Sequence, residues 1–587
     1  MASSSKETMV IIAEKPSLAG TIAGFLRGSW DGRKLLGFGR YRGRRFAITS
    51  LSGHVLEWWP KDDPGFRHPD YFPDPGDFEL RPIDGKERFL RAVERVVKRY
   101  AGCRADRVIV ATDNDAEGEL IGWEVLVWLK RQGGLDDPEC ARRMRFSAYT
   151  REDVLRALEG ALRGERIDPS LAYSALARTI ADWLYGIPLT RRLSLCNDDI
   201  VSVGRVQTPT LKLVVERERE RRKAQKKRRY YWILQAETPI GELRTEEKFK
   251  DGRRARELAS EIESIRVVEV RRERRSVRPP TPFNLTTLQR AAGKILRISP
   301  KRTLDLAQRL YEEGMITYPR TATNRYPSTF DHEELLRKLR NAHPDALRDF
   351  QRTGRRSEPV SGKEYDGAHP PITPTGRRKY IRGKLAWRLY DLIVRRYLAT
   401  LSEDALVVKW RIVAEHPGTG TRFVMEGTEV ERDGWYSVYP WEKPRESTMP
   451  DVSEGDELPA NVNASRRRKP LPRRYSQSRL VAKMKKLGLG TESTRAEIVK
   501  KLFDRGYVKR AGSGVAPTKR GERLVELLED RVPELVSVEL TRRIEREMEE
   551  ISELPPKRAR ERLERVAREI RETVRRNSKK LKSAKVV

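Results

Sequence analysis

The sequence predicts a multidomain chain of α/β plus separate α and β parts, led by an α/β domain with a parallel sheet. Three observations predict it. Short β-branched runs alternate with helical patterns over roughly the first 150 residues, the order that builds a parallel sheet. Residues 150–222 and the stretch after 474 read as helical. Between them, strand-like runs at 230–270 and 406–438 flank a helical segment at 286–398, so a β-rich domain is interrupted by a helical one. A length of 587 residues suggests about four domains.

The elements follow in order. Met9–Ala13 (MVIIA) is a β-branched strand ending in Glu14-Lys15-Pro16-Ser17, and Leu18–Leu26 is the helix after it, with Ser17 as its expected cap. Arg45–Thr49 is a second strand, leading into Ser52-Gly53-His54. Glu87–Tyr100 repeats Phe89, Leu90, Val93, Val96, Val97 and Tyr100 at helical spacing. Val108–Ala111 is a buried strand, followed by an acidic loop and a helix to Lys130. From Thr150 to Arg222 the pattern is helical, with Gly186-Ile187-Pro188 and Gly204 read as breaks. Tyr230–Thr238 and Ile265–Val270 alternate as strands, Arg278–Pro282 is a stiff link, Leu406–Val438 is β-like, and Ser465–Arg474 is a basic, proline-containing linker. In the basic tail from Pro556, Leu563, Val566, Ile570 and Val574 form an apolar stripe that suggests a docked helix, with fraying expected after Asn577.

The net charge of +35 suits a polyanionic partner, most naturally nucleic acid. Ion-pair networks explain many charges of both signs but not a large surplus of one. No apolar stretch reaches membrane-span length and no signal peptide is read at the N-terminus, so an intracellular soluble protein without a membrane partner is expected. Cys103, Cys140 and Cys196 are scattered without a CxxC, which argues against a zinc ribbon or a disulfide framework. Gly293-Lys294 lacks the rest of a Walker A pattern, so catalysis is expected to run without ATP.

The densest chemistry lies in Arg107–Gly122. Asp113, Asp115 and Glu117 follow an apolar strand, where open α/β sheets place their sites. Three such carboxylates make sense if they share Mg2+ or Mn2+, since hard oxygen ligands select these ions. A solvated acidic turn is the bland alternative. Glu14 ends its own strand on the same sheet edge and could meet Asp113 and Asp115, and Lys15 adds a cation for a phosphate. A second feature is Gly314–Thr321. Tyr318 precedes Pro319 and is pushed to extended geometry, with Arg320 two residues on and on the same side. A tyrosine beside an arginine can attack a phosphodiester, although packing at a helix end is the structural alternative. Arg302, Thr303 and Gln308 offer further polar contacts. His369 lies in a proline-rich loop, where a structural histidine is the usual reading. Gly204–Thr210 offers Arg205 and Gln207 to a phosphate at a helix start. Lys483–Val508 has helix-turn-helix character with Ser493-Thr494 as caps, so a non-enzymatic reader of duplex DNA is a competing interpretation.

Six motifs in order, AEKPS at 13–17, TDNDAEGE at 112–119, GRVQTPTL at 204–211, ITYPRT at 316–321, HPPITPT at 369–375 and GLGTESTRAEI at 488–498, resemble a type IA DNA topoisomerase over nearly the whole chain. The AEKPS and GTESTRAEI forms are similar to the topoisomerase III-like and archaeal branch. The resemblance implies a four-domain toroid: a Toprim domain at 1–150, a helical base at 151–225 and 471–587, a β-rich arch at 226–285 and 400–470, and a helical domain at 286–399 carrying Tyr318. It implies that Tyr318 bonds to a 5′-phosphate, that Arg320 stabilises the transition state, and that His369 contacts the scissile phosphate. Glu14, Asp113, Asp115 and Glu117 form the implied acidic site, with Asp113 and Asp115 the leading Mg2+ ligands and Lys15 assisting the phosphate. Separately, a phenol with an ordinary pKa of about 10 needs its proton removed, and Glu14 is expected to handle it. Arg178, Asp182, Arg205 and Gln207 match the single-strand groove, and Thr494 is a further DNA contact. The implied substrates are single-stranded and negatively supercoiled DNA, acted on by a cytoplasmic, nucleoid-associated monomer that could work with a helicase. Two departures stand out: Ala116 occupies a place where many relatives carry Arg, and the family's frequent C-terminal zinc ribbons are absent. A Toprim nuclease or primase would share the acidic loop but has no use for ITYPRT. A reverse-gyrase half would need a helicase domain that this sequence lacks.

Overall fold

A computed structural model describes residues 8–227, 229–377, 379 and 381–586. The N-terminal sheet has six strands in the order Ser29–Asp31, Leu36–Tyr41, Arg44–Ser50, Met9–Ala13, Val108–Ala111 and Arg142–Arg143. The last four are parallel, and the first two form an antiparallel hairpin on the edge. Sequence periodicity missed that hairpin because its strands are short and carry glycines, which weaken a strand signal. Ala13 lies level with Ala111, so Glu14 is delivered beside the acidic turn. The first helix spans Pro16–Phe25 and starts on Lys15, which corrects the expected Ser17 cap. Proline at the first helical position brings a preset φ and no donor to satisfy, so the turn starts without a side-chain cap.

Helix Pro169–Asn197 is the long element of the base, and it runs straight through Pro188, where the sequence suggested a break. An interior proline costs about 3 kcal/mol in isolation. Here Pro188 and Leu189 are buried, and the helix packs on Ala116–Arg131, Val538–Ile551 and Pro556–Ser578, which compensates. Gly204 does separate it from the next helix, Gln207–Lys226.

The second sheet has seven strands in the order Glu457–Pro459, Ser264–Val277, Ala405–His416, Thr421–Arg432, Gly241–Thr245, Tyr230–Thr238 and Asn461–Arg468. Its strands come from both sides of the helices Leu285–Ile295, Pro300–Glu312, His332–Ala342, Pro344–Gln351 and Lys384–Thr400. The β-like stretch ends at Arg432, since Gly434–Ser437 is a 3-10 turn. Residues 465–468 are not linker but the end of an edge strand paired with Tyr230–Thr238. Three consecutive arginines resemble a linker in composition, yet charged residues are common on sheet edges.

The C-terminal part holds the helices Gln477–Lys486 and Arg495–Asp504, a Val508–Ala511/Gly514–Pro517 hairpin, and the helices Lys519–Arg531, Val538–Ile551 and Pro556–Ser578. The apolar stripe of the last helix is buried. The expected fraying after Asn577 is overturned: Leu581, Ala584 and Val586 are buried, and Asn197 bonds Ala584 O at 3.0 Å and Val586 N at 2.6 Å. The apolar side chains sit between lysines that hide them in a composition count.

One core joins the N-terminal sheet, through Ile11, Ile109 and Ala111, to Tyr311, Met315, Tyr318 and Tyr390 of the helical insertion. No helix among the described residues is long and apolar enough to cross a membrane.

Candidate active site

The acidic turn is built by its own backbone needs. Asp115 caps helix Ala116–Arg131 by accepting from Gly118 N at 2.7 Å, and Thr112 Oγ1 donates to Gly118 O at 2.7 Å. A Cβ on Gly118 would lie 2.1 Å from Asp113 O, so only glycine allows the turn to close this tightly. Beneath it, fully buried Arg143 donates to Thr112 O at 3.0 Å, to Asp113 O at 2.8 Å and to Glu119 Oε2 at 2.7 Å. Glu119 also accepts from Asp168 N at 2.6 Å. The sequence signal for this support was present in the eighth residue of TDNDAEGE, but its partner Arg143 is visible only in space.

Several of the expected residues converge here. Glu14 Oε2 accepts from Asp113 N at 2.8 Å. Asp113 accepts from the hydroxyls of Tyr149 at 3.2 Å and Tyr311 at 3.3 Å. The Tyr318 hydroxyl donates to Asp115, and its ring packs 4.5 Å from His369 and 5.3 Å from Tyr311. The His369 Nε2 hydrogen goes to Asn114 O at 2.6 Å, and Nδ1 lies 3.3 Å from Ser147 Oγ. Lys15 bonds Glu312 at 2.8 Å and lies 3.8 Å from Glu14. Glu14, suggested as the proton handler, faces the Asp113 amide, while Asp115 takes the hydrogen of the tyrosine hydroxyl.

Burial and neighbouring charge set the electrostatics. Burial first, then the Glu14 carboxylate and, against the pull of Lys15, that of Asp115, push Asp113 up to about 7. Burial, then Asp115 and Asp113, hold the Tyr318 phenol well above its ordinary value, against the pull of Arg320. Burial lowers Arg320, but Tyr318, Asp115, Asp113 and Glu117 outweigh it and keep the guanidinium charged. Its buried Nε has no hydrogen-bond partner among the described residues, an orphaned donor of the kind a phosphate oxygen satisfies. Burial likewise lowers Lys15, yet Asp113, Glu14 and Glu312 raise it overall.

Glu117 is bonded to a histidine. It meets His54 Nε2 at 3.3 Å, and His54 Nδ1 meets the buried Glu124 at 3.1 Å. Burial opposes a charge on His54, but hydrogen bonds to Glu117 and Glu124 lift it to about 10. His54 was visible in the sequence only as a lone histidine after a strand. A divalent cation fits the donor set in chemistry: hard carboxylate oxygens whose mutual repulsion is already expressed in Asp113. Among the described residues, however, no three His, Cys, Asp or Glu side chains converge as a ready-made metal cage. One oxygen each of Glu14, Asp113 and Glu117 is engaged, by amide, hydroxyl and imidazole in turn, while Asp115 accepts on both oxygens.

Other expected residues bond to groups outside the acidic turn. Arg178 pairs with Glu545 at 3.5 Å, and Arg205 is buried between Asp182 at 3.0 Å and Glu545 at 2.7 Å. Gln207 bonds Ser202 O at 3.2 Å. Thr494 is the first residue of its helix start but does not cap it, since its hydroxyl accepts from Thr491 N at 2.9 Å. Of the helix-start pair, Ser493 bonds Thr491 at 2.9 Å. Arg302 and Thr303 contact Ser299 in their own helix turn, and Gln308 bonds Glu312 at 3.2 Å. The helix-turn-helix exists, followed by the Val508–Pro517 hairpin, but Arg495–Asp504 packs against Gln207–Lys226 and Pro300–Glu312. That leaves its inner face unavailable to a DNA groove.

The Toprim domain family matches residues 9–148, and the DNA topoisomerase family matches residues 166–558. DNA topoisomerase 1 of Pyrococcus horikoshii is 35% identical, covering 93% of this chain and 81% of that protein. DNA topoisomerase 1 of Methanothermobacter thermautotrophicus is 34% identical, covering 93% and 76%. Full-length topoisomerase I from Thermotoga maritima superposes with a TM-score of 0.73 at 27% identity, covering 96% of this chain and 89% of that one. With a Toprim turn and a tyrosine bonded to it inside one continuous match, this chain belongs to the type IA DNA topoisomerases, the isomerases that work by single-strand passage.

Proposed function

We propose that Tyr318 cuts one DNA strand, that a second strand passes through the gap, and that the cut is then resealed without ATP. The Tyr318 oxygen attacks a backbone phosphorus, the bond to the 3′-oxygen breaks, and a 5′-phosphotyrosine ester with a free 3′-hydroxyl results. The ester conserves the bond energy, which removes the need for a nucleotide. The observation that carries this reading is the hydrogen bond from the Tyr318 hydroxyl to Asp115 beside Arg320. Asp115 takes the phenol proton, Arg320 and Lys15 balance the phosphate charge, and His369 orients the scissile phosphate. Glu14 handles the proton of the leaving 3′-oxygen. When bound, Mg2+ (or Mn2+) held by Asp113, Asp115 and Glu117, with Glu14 close by, supplies positive charge that holds DNA and supports resealing. Arg178, Asp182, Gln207 and Thr494 line the approach of the single strand, and the buried Arg205 positions Asp182 from behind. Negatively supercoiled DNA, which opens single-stranded regions, and catenated DNA are the substrates.

The same reading divides the chain as Toprim 1–150, base 151–225 and 471–587, arch 226–285 and 400–470, and tyrosine domain 286–399. Tyr318→Phe removes only a hydroxyl, so folding and single-strand binding are expected to survive. Denaturing gels should then find no 5′-linked protein–DNA adduct, and an adduct trapped with the Phe variant would overturn the assignment.

A further inference from the structure

Two chain crossings between the helical base and the seven-stranded sheet meet where Arg229 and Tyr230 run beside Arg468 and Lys469. Lys469 N bonds Arg229 O at 3.0 Å, and Arg468 is registered opposite Tyr230, so cationic residues stand next to one another. Two cations flanking this strip are ion-paired, Arg474 with Glu218 at 2.7 Å and Arg222 with Glu522 at 2.6 Å, while Arg467 donates to the neutral Gln235 at 3.1 Å. Lys226, Lys227, Arg229, Arg468, Lys469 and Arg473 are all exposed, and among the described residues no acidic side chain pairs with any of them. The C-terminal end of helix Gln207–Lys226 accounts for part of the lysine charge, since cations favour that pole. It does not account for Arg229 facing Lys469, because like charges set opposite each other destabilise a strand pair. Within the strip, Tyr230 is 40% exposed, with the Arg466 guanidinium 3.9 Å from its ring centroid.

We propose that this strip is a second binding site for single-stranded DNA, separate from the residues packed around Tyr318. Unpaired cations take the phosphates, and the open ring of Tyr230 stacks a base, the combination that suits a single strand and not a duplex. The cost of assembling like charges is relieved when a polyanion lies along them.

The test is a triple variant, Arg468→Gln with Lys469→Gln and Arg473→Gln, alongside Tyr230→Leu, all in the full chain. Binding to a long oligo-dT strand is followed by fluorescence anisotropy across salt concentrations. Three lost phosphate contacts should make the slope of log K against log salt shallower by about 2, at roughly 0.7 per contact. Tyr230→Leu should weaken the long single strand by at least about five-fold and leave a blunt duplex unaffected. Adduct formation on a short oligonucleotide that reaches only Tyr318 should be unchanged, which separates this site from the cleavage chemistry. Equal salt slopes for the triple variant and the parent overturn the proposal, as does a loss confined to duplex DNA. Thermal denaturation checks folding; should the triple variant not fold, unchanged single-strand affinity of Tyr230→Leu overturns the proposal by itself.

Discussion

His54 holds Glu117 through a chain of three groups: an exposed carboxylate, a partly exposed imidazolium and a carboxylate only 3% exposed. The inner member, Glu124, is raised chiefly by burial, against the pull of His54, so the ring is what keeps its charge tolerable. Glu117 is lowered by the same ring. A carboxylate oriented by a second group binds a cation better than a free one, and removing such a group usually costs ten-fold or more. His54→Ala is therefore expected to raise the Mg2+ concentration for half-maximal resealing by about ten-fold. Mn2+ affinity, measured directly by calorimetry on the protein alone, should fall in parallel, and His54→Gln should recover part of it. Unchanged affinity in the Ala variant would show that the chain serves stability only. At this scale the sequence was generous with Glu14, Asp113, Asp115 and Tyr318, whose motifs are contiguous. It was silent on Arg143, Tyr149 and Tyr311, because each reaches the turn from a distant segment.

The C-terminal helix is an element whose end was misread for a physical reason. Pro556–Ser578 lies along Pro169–Asn197, and its stripe of Leu563, Val566, Ile570 and Val574 follows helical period, so docking was legible. Beyond it no period exists, only Leu581, Ala584 and Val586 dropped one by one onto the end of the long helix. Truncation after Ser578 removes this cover. Burying two large apolar side chains stabilises by about 3 kcal/mol before ordering entropy, so a net loss of about 1–2 kcal/mol is expected. Chemical denaturation should show the lowered midpoint. The same truncation removes Lys579, Lys580, Lys582 and Lys585, all exposed. The slope of log K against log salt on single-stranded DNA should then fall by at most about 3. A midpoint unchanged by truncation would mean that the buried tail contributes nothing to the fold. Strand elements divide the same way. MVIIA and VIVA are apolar on both faces and unmistakable, whereas Asn461–Arg468 becomes a strand only because Tyr230–Thr238 offers it an edge.

Across the whole molecule, the tyrosine and the acidic turn belong to different parts of the chain and close on each other. Tyr318 is 0% exposed, its amide donates to Ser147 O at 2.7 Å, and Lys15 bridges to Glu312 across the same contact. On the function proposed above, a DNA strand reaches the hydroxyl only when this contact opens, since Tyr318 is fully buried. Glu312→Ala removes one clasp while leaving the groups around the Tyr318 hydroxyl in place. Partly exposed ion pairs are worth up to about 1 kcal/mol, so exchange of the Tyr318 amide hydrogen should quicken about two- to five-fold. Hydrogen-exchange mass spectrometry over 314–320 measures this, and protection equal to the parent would remove Lys15–Glu312 as a clasp.

The sequence by itself determined the family, the order of α and β parts, and the residue types of the site. Each of these is written in contiguous motifs or in a local period, and local sterics and side-chain chemistry are enough to read them. The tertiary structure alone decided that Asp115, and not Glu14, holds the tyrosine hydrogen, that the helix Pro169–Asn197 continues through Pro188, and that the tail is docked. It also decided that Arg205 is enclosed by Asp182 and Glu545 instead of lying open. These outcomes depend on partners tens to hundreds of residues away, and the energy of a buried bond or a packed face exists only once both partners have been brought together.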